Sequence, residues 1–289
     1  MHVARTTAKR ELRGRDVTAG WGVILILHGR LTVYGEYLMH DTGQGLIVPS
    51  RLVLATPDEV RVPWHADYDP LKDGVASILR AWGFSVHARI RGDMPLGCGL
   101  ASSSMLAALH AGTQLLARTR DIMNTVDAII HGFEPSGLDA SFCLRQRAGL
   151  FLSGRWTDIS VSLMRCSLVL PTKEGAMNLA EVREHVLRRR QRLAGLAWEM
   201  SVEVLKTGRL PYEQMMAYCR TLAKCGVYSE QAQACIEHLS ANEIAAKGIG
   251  GLYDKAVLII WPPGVASEAV PEVLSRCRSF ANMPLLDVL

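Results

Sequence analysis

The stretch Pro95, Leu96, Gly97, Cys98, Gly99, Leu100, Ala101, Ser102, Ser103 and Ser104 holds the residue types best suited to chemistry. Glycines let a backbone come close to an anion, and a helix starting beside them offers unpaired N–H groups. Serine hydroxyls add donors, or a ligand for a hard cation. Together these features describe a cradle for phosphate. It is not a Walker A loop, because no Lys-Ser or Lys-Thr pair follows the last glycine. The same residues would also serve a plain glycine turn with a serine N-cap. A second segment, His131 to Asp139, is rich in turn residues and carries the carboxylates Glu134 and Asp139. Phosphoryl transfer to an alcohol needs a carboxylate within reach of the hydroxyl proton and a cation to hold the triphosphate. Asp139 is the candidate for the first role, although Pro135 to Asp139 also has the composition of an ordinary surface turn.

Particular elements must hold these residues in place. Phe84 to Ile90 alternates apolar and polar residues, which predicts a half-exposed strand running into the glycine loop. Ser102 to Ala117 is rich in Ala, Leu and Met at helical spacing, so the order is strand, glycine loop, helix. Upstream, Val23 to Leu27 and Leu31 to Tyr34 read as strands broken by His28 and Gly29. Gly149 to Leu152 closes a first half as a strand, and Ile159 to Leu170 opens a second. Helices are predicted over Leu179 to Leu205, Tyr212 to Leu222, Ser229 to Leu239 with Ser229 as cap, and Ala266 to Arg278. Val257 to Trp261 is a buried strand stopped by Pro262 and Pro263. The expected fold class is α+β, with a mixed sheet and helices to about residue 155 followed by a sheet with helices on one side.

Size and composition set bounds without choosing a function. A chain of 289 residues exceeds the usual limit of one core, which favours two domains sharing a cleft. Its 32 Lys and Arg against 28 Asp and Glu give +4, enough to suit a phosphorylated ligand but short of a nucleic-acid-binding stripe. The basic residues among the first 15 read as a solvated arm. Seven scattered cysteines show no metal or redox spacing and fit reduced thiols in the cytoplasm. The apolar run Val23 to Leu27 is too short to span a bilayer, so neither a signal peptide nor a membrane segment is expected.

Pro95 to Ser104 resembles the second motif of the GHMP kinases, Pro-x-Gly-x-Gly-Leu-Gly-Ser-Ser-Ala, matching at 95, 97, 99, 100, 102 and 103. Ala101 replaces a glycine and Ser104 an alanine. Pro135, Ser136, Gly137, Leu138 and Asp139 resemble the Pro-Ser-Gly-x-Asp of the mevalonate kinase branch, whose aspartate is the catalytic base. Asp127, four residues before His131-Gly132, falls where that branch carries a magnesium-binding glutamate, and Glu134 is a rival because one extra residue separates Gly132 from Pro135. Leu27 to Glu36 resembles the first motif, with Arg30 on its basic position and Glu36 on an acceptor position facing the substrate; His28 and Tyr37 depart from it. Lys247 to Gly251 begins like the third motif, but Leu252 to Lys255 stand where glycines belong.

The resemblance implies a two-domain GHMP kinase fold. Residues 16–155 would form an N-terminal domain like ribosomal protein S5, and residues 156–289 a ferredoxin-like C-terminal domain. It implies an ATP-dependent kinase that phosphorylates a hydroxyl of a small metabolite, whether a mevalonate-like hydroxy acid, a sugar or an amino-acid alcohol. Pro95, Gly97, Gly99, Leu100, Ala101, Ser102, Ser103 and Ser104 would hold the phosphates, and Ser103 and Asp127 the Mg2+. Asp139 would be the base and Arg30 the transition-state cation, while Glu36, Ser136, Gly137, Gly250 and Gly251 would face the substrate. No nucleic-acid or membrane partner is expected, and a homodimer stays open. The alternative is an inactive ligand sensor or scaffold on the same fold, motivated by Leu252 to Lys255. A decarboxylase acting on a diphosphate is a third reading, set back by the aspartate's context.

Overall fold

The computed structural model describes residues 26–36, 38, 43–55, 70–84, 86, 90–111, 119–132, 134–152, 155–162, 164–170, 184–249, 256–264 and 285–289. Two sheets organise them. The first comprises β1 (Ile26–Tyr34), β2 (Gly45–Ala55), β4 (Gly149–Leu152) and β5 (Arg155–Asp158) in that order, with the short β3 (Arg91–Gly92) paired to β2. The second has the order β7 (Ala245–Ile249), β8 (Ala256–Ile260), β6 (Cys166–Val169), β9 (Leu285–Asp287). Every pairing between these strands is antiparallel, so the first sheet is not the mixed one expected. Among the described residues one of its helices lies between β2 and β3 and three lie between β3 and β4, and none makes a crossover between parallel neighbours. The α+β class stands as expected.

Among the described residues four helices accompany the first sheet: α1 (Pro70–Ala81), α2 (Ser102–Ala111), α3 (Thr119–His131) and α4 (Leu138–Arg145). Both α2 and α4 pack on β1, and α3 packs on α2. In the second half α5 (Arg190–Thr207), α6 (Tyr212–Ala223) and α7 (Glu230–Ala241) are joined to the sheet through α6 and α7, which lie on β7. Ser229 caps α7 as expected, its hydroxyl accepting from the Ala232 N–H at 3.3 Å. Most of the strand expected over Phe84 to Ile90, the end of the helix expected to Ala117, and the helix expected over Ala266 to Arg278 lie outside the described residues.

β1 runs unbroken through His28 and Gly29, where two strands were expected. The interruption is a shift of pairing register between His28 and Arg30. Gly29 is required there, because a Cβ would stand 2.7 Å from Met94 Sδ and 2.9 Å from Ser50 Oγ. β2 and α1 were not expected from the sequence. β5 begins at Arg155 and still pairs with β4, so the first sheet extends to Asp158.

The halves share one contiguous apolar core that includes Leu31, Leu106 and Phe142 from the first and Leu168, Leu222 and Ile259 from the second. Polar contacts tie the same seam. The Tyr34 hydroxyl lies 2.9 Å from Ser201 Oγ, the Gly35 N–H donates to the Tyr218 hydroxyl at 3.0 Å, and the Arg51 N–H donates to Val288 O at 2.9 Å. The residues singled out for chemistry on β1 and β7 sit beside this seam.

Candidate active site

The glycine loop turns by left-handed backbone at alternate positions: Gly97 at φ 72°, Gly99 at φ 76° and Ala101 at φ 65°. Such values suit glycine and strain alanine by about 1–2 kcal/mol. Ala101 is buried, and its methyl recovers about 0.8 kcal/mol, so alanine is tolerated where the resembled motif has glycine. Ser102 Oγ accepts from the Gly97 N–H at 2.9 Å and closes the loop, and α2 begins at Ser102. Valine at Gly99 would put a β-branched side chain on left-handed backbone beside the first turn of α2. The expectation that this loop cradles phosphate is tested by Gly99→Val, which should lose nucleotide affinity by at least about tenfold in a folded protein, measured by calorimetry.

Arg30 joins β1, the loop and α4. Its N–H donates to Leu100 O at 3.0 Å, its Nη2 donates to Gly99 O at 3.2 Å, and its Nη1 donates to Asp139 Oδ1. Asp139 lies in the first turn of α4, where free N–H groups and the helix dipole favour a carboxylate. The turn that starts α4 is made by Gly137 at φ 74° and by Ser136, whose Oγ accepts from the Leu138 N–H at 3.4 Å. The Asp139 side chain is 27% exposed and that of Arg30 12%, so the pair is held from beneath while the carboxylate stays open to an incoming group.

Asp127 on α3 is buried and meets the start of α2. Its Oδ2 accepts from the Ser104 hydroxyl, and its Oδ1 is buried with no hydrogen-bond partner. Burial, and after it the charge of Asp139, push its carboxyl up to about 7, against the pull of the Ser103 and Ser104 hydroxyls and of Arg30. Ser103 Oγ lies 3.3 Å from His131 Nε2. A buried anionic oxygen without a partner beside a serine hydroxyl fits a hard divalent cation. Among the described residues no three His, Cys, Asp or Glu side chains cluster as a ready metal cage, so such a cation would complete its shell with phosphate and water oxygens. Glu134, the rival ligand, is exposed. Ser104, expected among the phosphate contacts, is fully buried, and its hydroxyl goes to Asp127 instead.

Glu36 and Lys247 close the inner side of the site. Lys247 on β7 is fully buried and donates to Glu36 Oε1, linking the segment after β1 to the second sheet. Burial first, and then the charge of Arg30, hold its ammonium well below the usual lysine range. Glu36 Oε2 is buried without a partner. Gly250 and Gly251, expected to face the substrate, lie outside the described residues, as do Tyr37 and Leu252 to Lys255.

Arg30, Gly99, Ser103, Asp127 and Asp139 therefore converge from four separated segments. Sequence reasoning did not foresee that Lys247 would take one oxygen of Glu36, that His131 would lie against Ser103, or that Gln146 Oε1 would accept from the His28 N–H at 2.6 Å. The available signal was modest: a lysine inside an apolar strand, and two departures from the resembled motif, Ser104 and Asp127, in one neighbourhood.

No protein-family model and no curated protein matches the chain by sequence. Its fold is that of the GHMP kinases. The chain is similar to the mevalonate kinase of Methanococcus jannaschii, at 13% identity and TM-score 0.63 over 94% of this chain and 99% of that one. It is similar to the Streptococcus pneumoniae phosphomevalonate kinase solved with phosphomevalonate and AMPPNP, at 17% identity and TM-score 0.58 over 93% of this chain and 100% of that one. It is also similar to the Lactococcus lactis galactokinase solved with galactose, at 12% identity and TM-score 0.59, with 92% of each chain covered. At these identities the likeness is one of fold.

Proposed function

We propose that the chain is an ATP-dependent kinase that moves the γ-phosphoryl group to a hydroxyl of a small metabolite. The observation that carries this reading is Asp139, partly open in the first turn of α4 and held by Arg30, which also reaches Gly99 of the glycine loop that opens α2. The loop N–H groups beyond Gly97, from Cys98 to Ser103, bind the nucleotide phosphates. Arg30 fixes the Asp139 carboxylate and aims its remaining donor capacity at the transferring group, whose oxygens shift charge during transfer. Asp139 takes the proton of the acceptor hydroxyl as its oxygen bonds to the γ-phosphorus, and the bond from that phosphorus to the bridging oxygen breaks to release ADP. Ser103 and Asp127 would hold a magnesium ion, which would supply positive charge against the phosphate oxygens.

Glu36 through Oε2, Ser136, Gly137 and the 250–251 segment border the acceptor in this reading. The proposed domains are residues 16–155 and 156–289, a division that β5 of the first sheet straddles. A cytoplasmic location agrees with the six described cysteines, all free thiols. Among the described residues no helix is long and apolar enough to cross a membrane.

The test is incubation with ATP, magnesium and a panel of hydroxy acids, phosphorylated hydroxy acids, sugars and amino-acid alcohols, read by mass spectrometry for a phosphorylated product. The hydroxy acids, phosphorylated hydroxy acids and sugars follow the names of the similar kinases, and the amino-acid alcohols follow from the sequence resemblance. A panel in which metabolites bind and shift the melting curve, yet none is phosphorylated, supports the sensor reading that Leu252 to Lys255 motivated. Asp127→Asn is expected to raise the magnesium concentration for half-maximal rate by at least about tenfold, since it removes one hard anionic oxygen. Glu134→Gln is expected to leave that concentration unchanged, and the opposite pattern moves the metal to Glu134.

A further inference from the structure

We infer that Ser104 is a positioning residue for the metal-binding carboxylate and not a phosphate contact. This rests on the reading above that Asp127 ligates the cation. Ser104 is fully buried in the first turn of α2, and its hydroxyl donates to Asp127 Oδ2. Asp127 reaches the same point from α3, with its other oxygen buried and free of hydrogen bonds. One oxygen is thereby tied and the other left for a ligand. A carboxylate with both oxygens loose would have to be ordered at the moment of binding, so a hydrogen bond to its far oxygen fixes the ligand's direction in advance.

The geometry also accounts for two departures from the resembled motif, which carries alanine at position 104 and glutamate at position 127. Aspartate is one methylene shorter than glutamate and has less reach toward a cation beside Ser103. The Ser104 hydroxyl sits on the side of Asp127 away from its free oxygen, holding the short side chain in one orientation. An alanine at 104 would leave Oδ2 as a second buried, unpaired carboxylate oxygen, a costly arrangement that invites the side chain to turn. The serine and the aspartate thus act as a pair.

The experiment titrates Mn2+ by calorimetry into protein saturated with a non-hydrolysable ATP analogue, and separately titrates the analogue in the presence of chelator. For Ser104→Ala the expected result is Mn2+ affinity weakened by about 10- to 100-fold with metal-free analogue affinity within about twofold of the parent. Adding Asp127→Glu to Ser104→Ala is expected to restore Mn2+ affinity, because the longer carboxylate no longer needs the hydroxyl. A purely structural role for Ser104 would not show that rescue. The inference is overturned if Ser104→Ala weakens the metal-free analogue and spares Mn2+, which makes Ser104 a phosphate contact, or if it changes neither. Asp127→Asn keeps the two levels apart: unchanged Mn2+ affinity there overturns the assignment of Asp127 itself, whereas a loss there without a loss in Ser104→Ala overturns only the positioning role. Should Ser104→Ala fail to fold, Asp127→Glu is compared with the double variant. Tighter Mn2+ binding by the double variant supports the pairing, and equal or weaker binding overturns it.

Discussion

Replacing Asp139 by asparagine is expected to lower kcat by about 10²-fold or more while KM for the acceptor changes little. The amide keeps the shape of the side chain and can still meet Arg30 through its oxygen, so the ground-state site survives. What it cannot do is take the hydroxyl proton as the new phosphorus–oxygen bond forms, and that deficit exists only in the transition state. Arg30→Met should lower kcat similarly, with two causes combined: Asp139 loses the group that orients it, and the transferring phosphoryl loses a fixed positive charge. The two effects share one network, so the double variant should fall well short of the product of the single losses. Steady-state kinetics on whichever acceptor the panel identifies measures all three.

The second large effect concerns stability. Lys247→Met is expected to cost about 3–5 kcal/mol, because it leaves the Glu36 carboxylate buried with no partner on either oxygen. The cost reflects a stranded charge more than the worth of the ion pair itself. Exchanging both members for apolar residues, as in Lys247→Met with Glu36→Met, should recover most of the loss, since the desolvation of both charges disappears along with their attraction. Equilibrium denaturation of the two single variants and the double variant closes the cycle. A loss below about 1 kcal/mol for Lys247→Met would place the pair in contact with solvent, contrary to its burial. Activity should not return in the double variant if Glu36 Oε2 borders the acceptor.

The parts of this site legible in the sequence are those whose requirements are local. Gly97 and Gly99 announce left-handed backbone, the serines after them announce a helix start, and Gly137 before Leu138 and Asp139 places a carboxylate in a helix's first turn. Each follows from conformational preferences within a few residues. Ala101 shows the limit of that logic, adopting φ 65° without being glycine. β2 was missed because Pro49 interrupts its apolar run and burial along most of its length removes a clean alternation, although Ile47, Val48 and Val53 suit a strand. Pro49 is accommodated opposite Arg30, next to the register shift at His28. β1 was divided in two by the pair His28-Gly29, whose purpose is close approach to Met94 and Ser50, a tertiary demand that spacing does not encode.

Contacts between distant segments were less accessible still. Lys247 and Glu36 lie 211 positions apart, and Ser104 and Asp127 lie 23 apart on different helices. A resemblance to family motifs suggests that such segments meet, but not which atom pairs with which. That is why Glu36 was expected to face the substrate with no partner foreseen in Lys247, and why Ser104 was grouped with the phosphate contacts. The side chains settle those pairings through burial: a polar group removed from water takes the nearest available partner.

One site, between the glycine loop and the first turn of α4, is proposed to transfer phosphoryl to an alcohol with Asp139 as base. The most direct measurement is a single-turnover quench experiment with ATP labelled in the γ-phosphate, protein in excess, and the acceptor panel, run in parallel on the parent and on Asp139→Asn. Label is expected to leave ATP for one acceptor in the parent, and to stay on ATP over the same interval in the variant although nucleotide binds equally to both. Label that stays on bound ATP with every acceptor in the parent, or that moves equally fast in the variant, would contradict it.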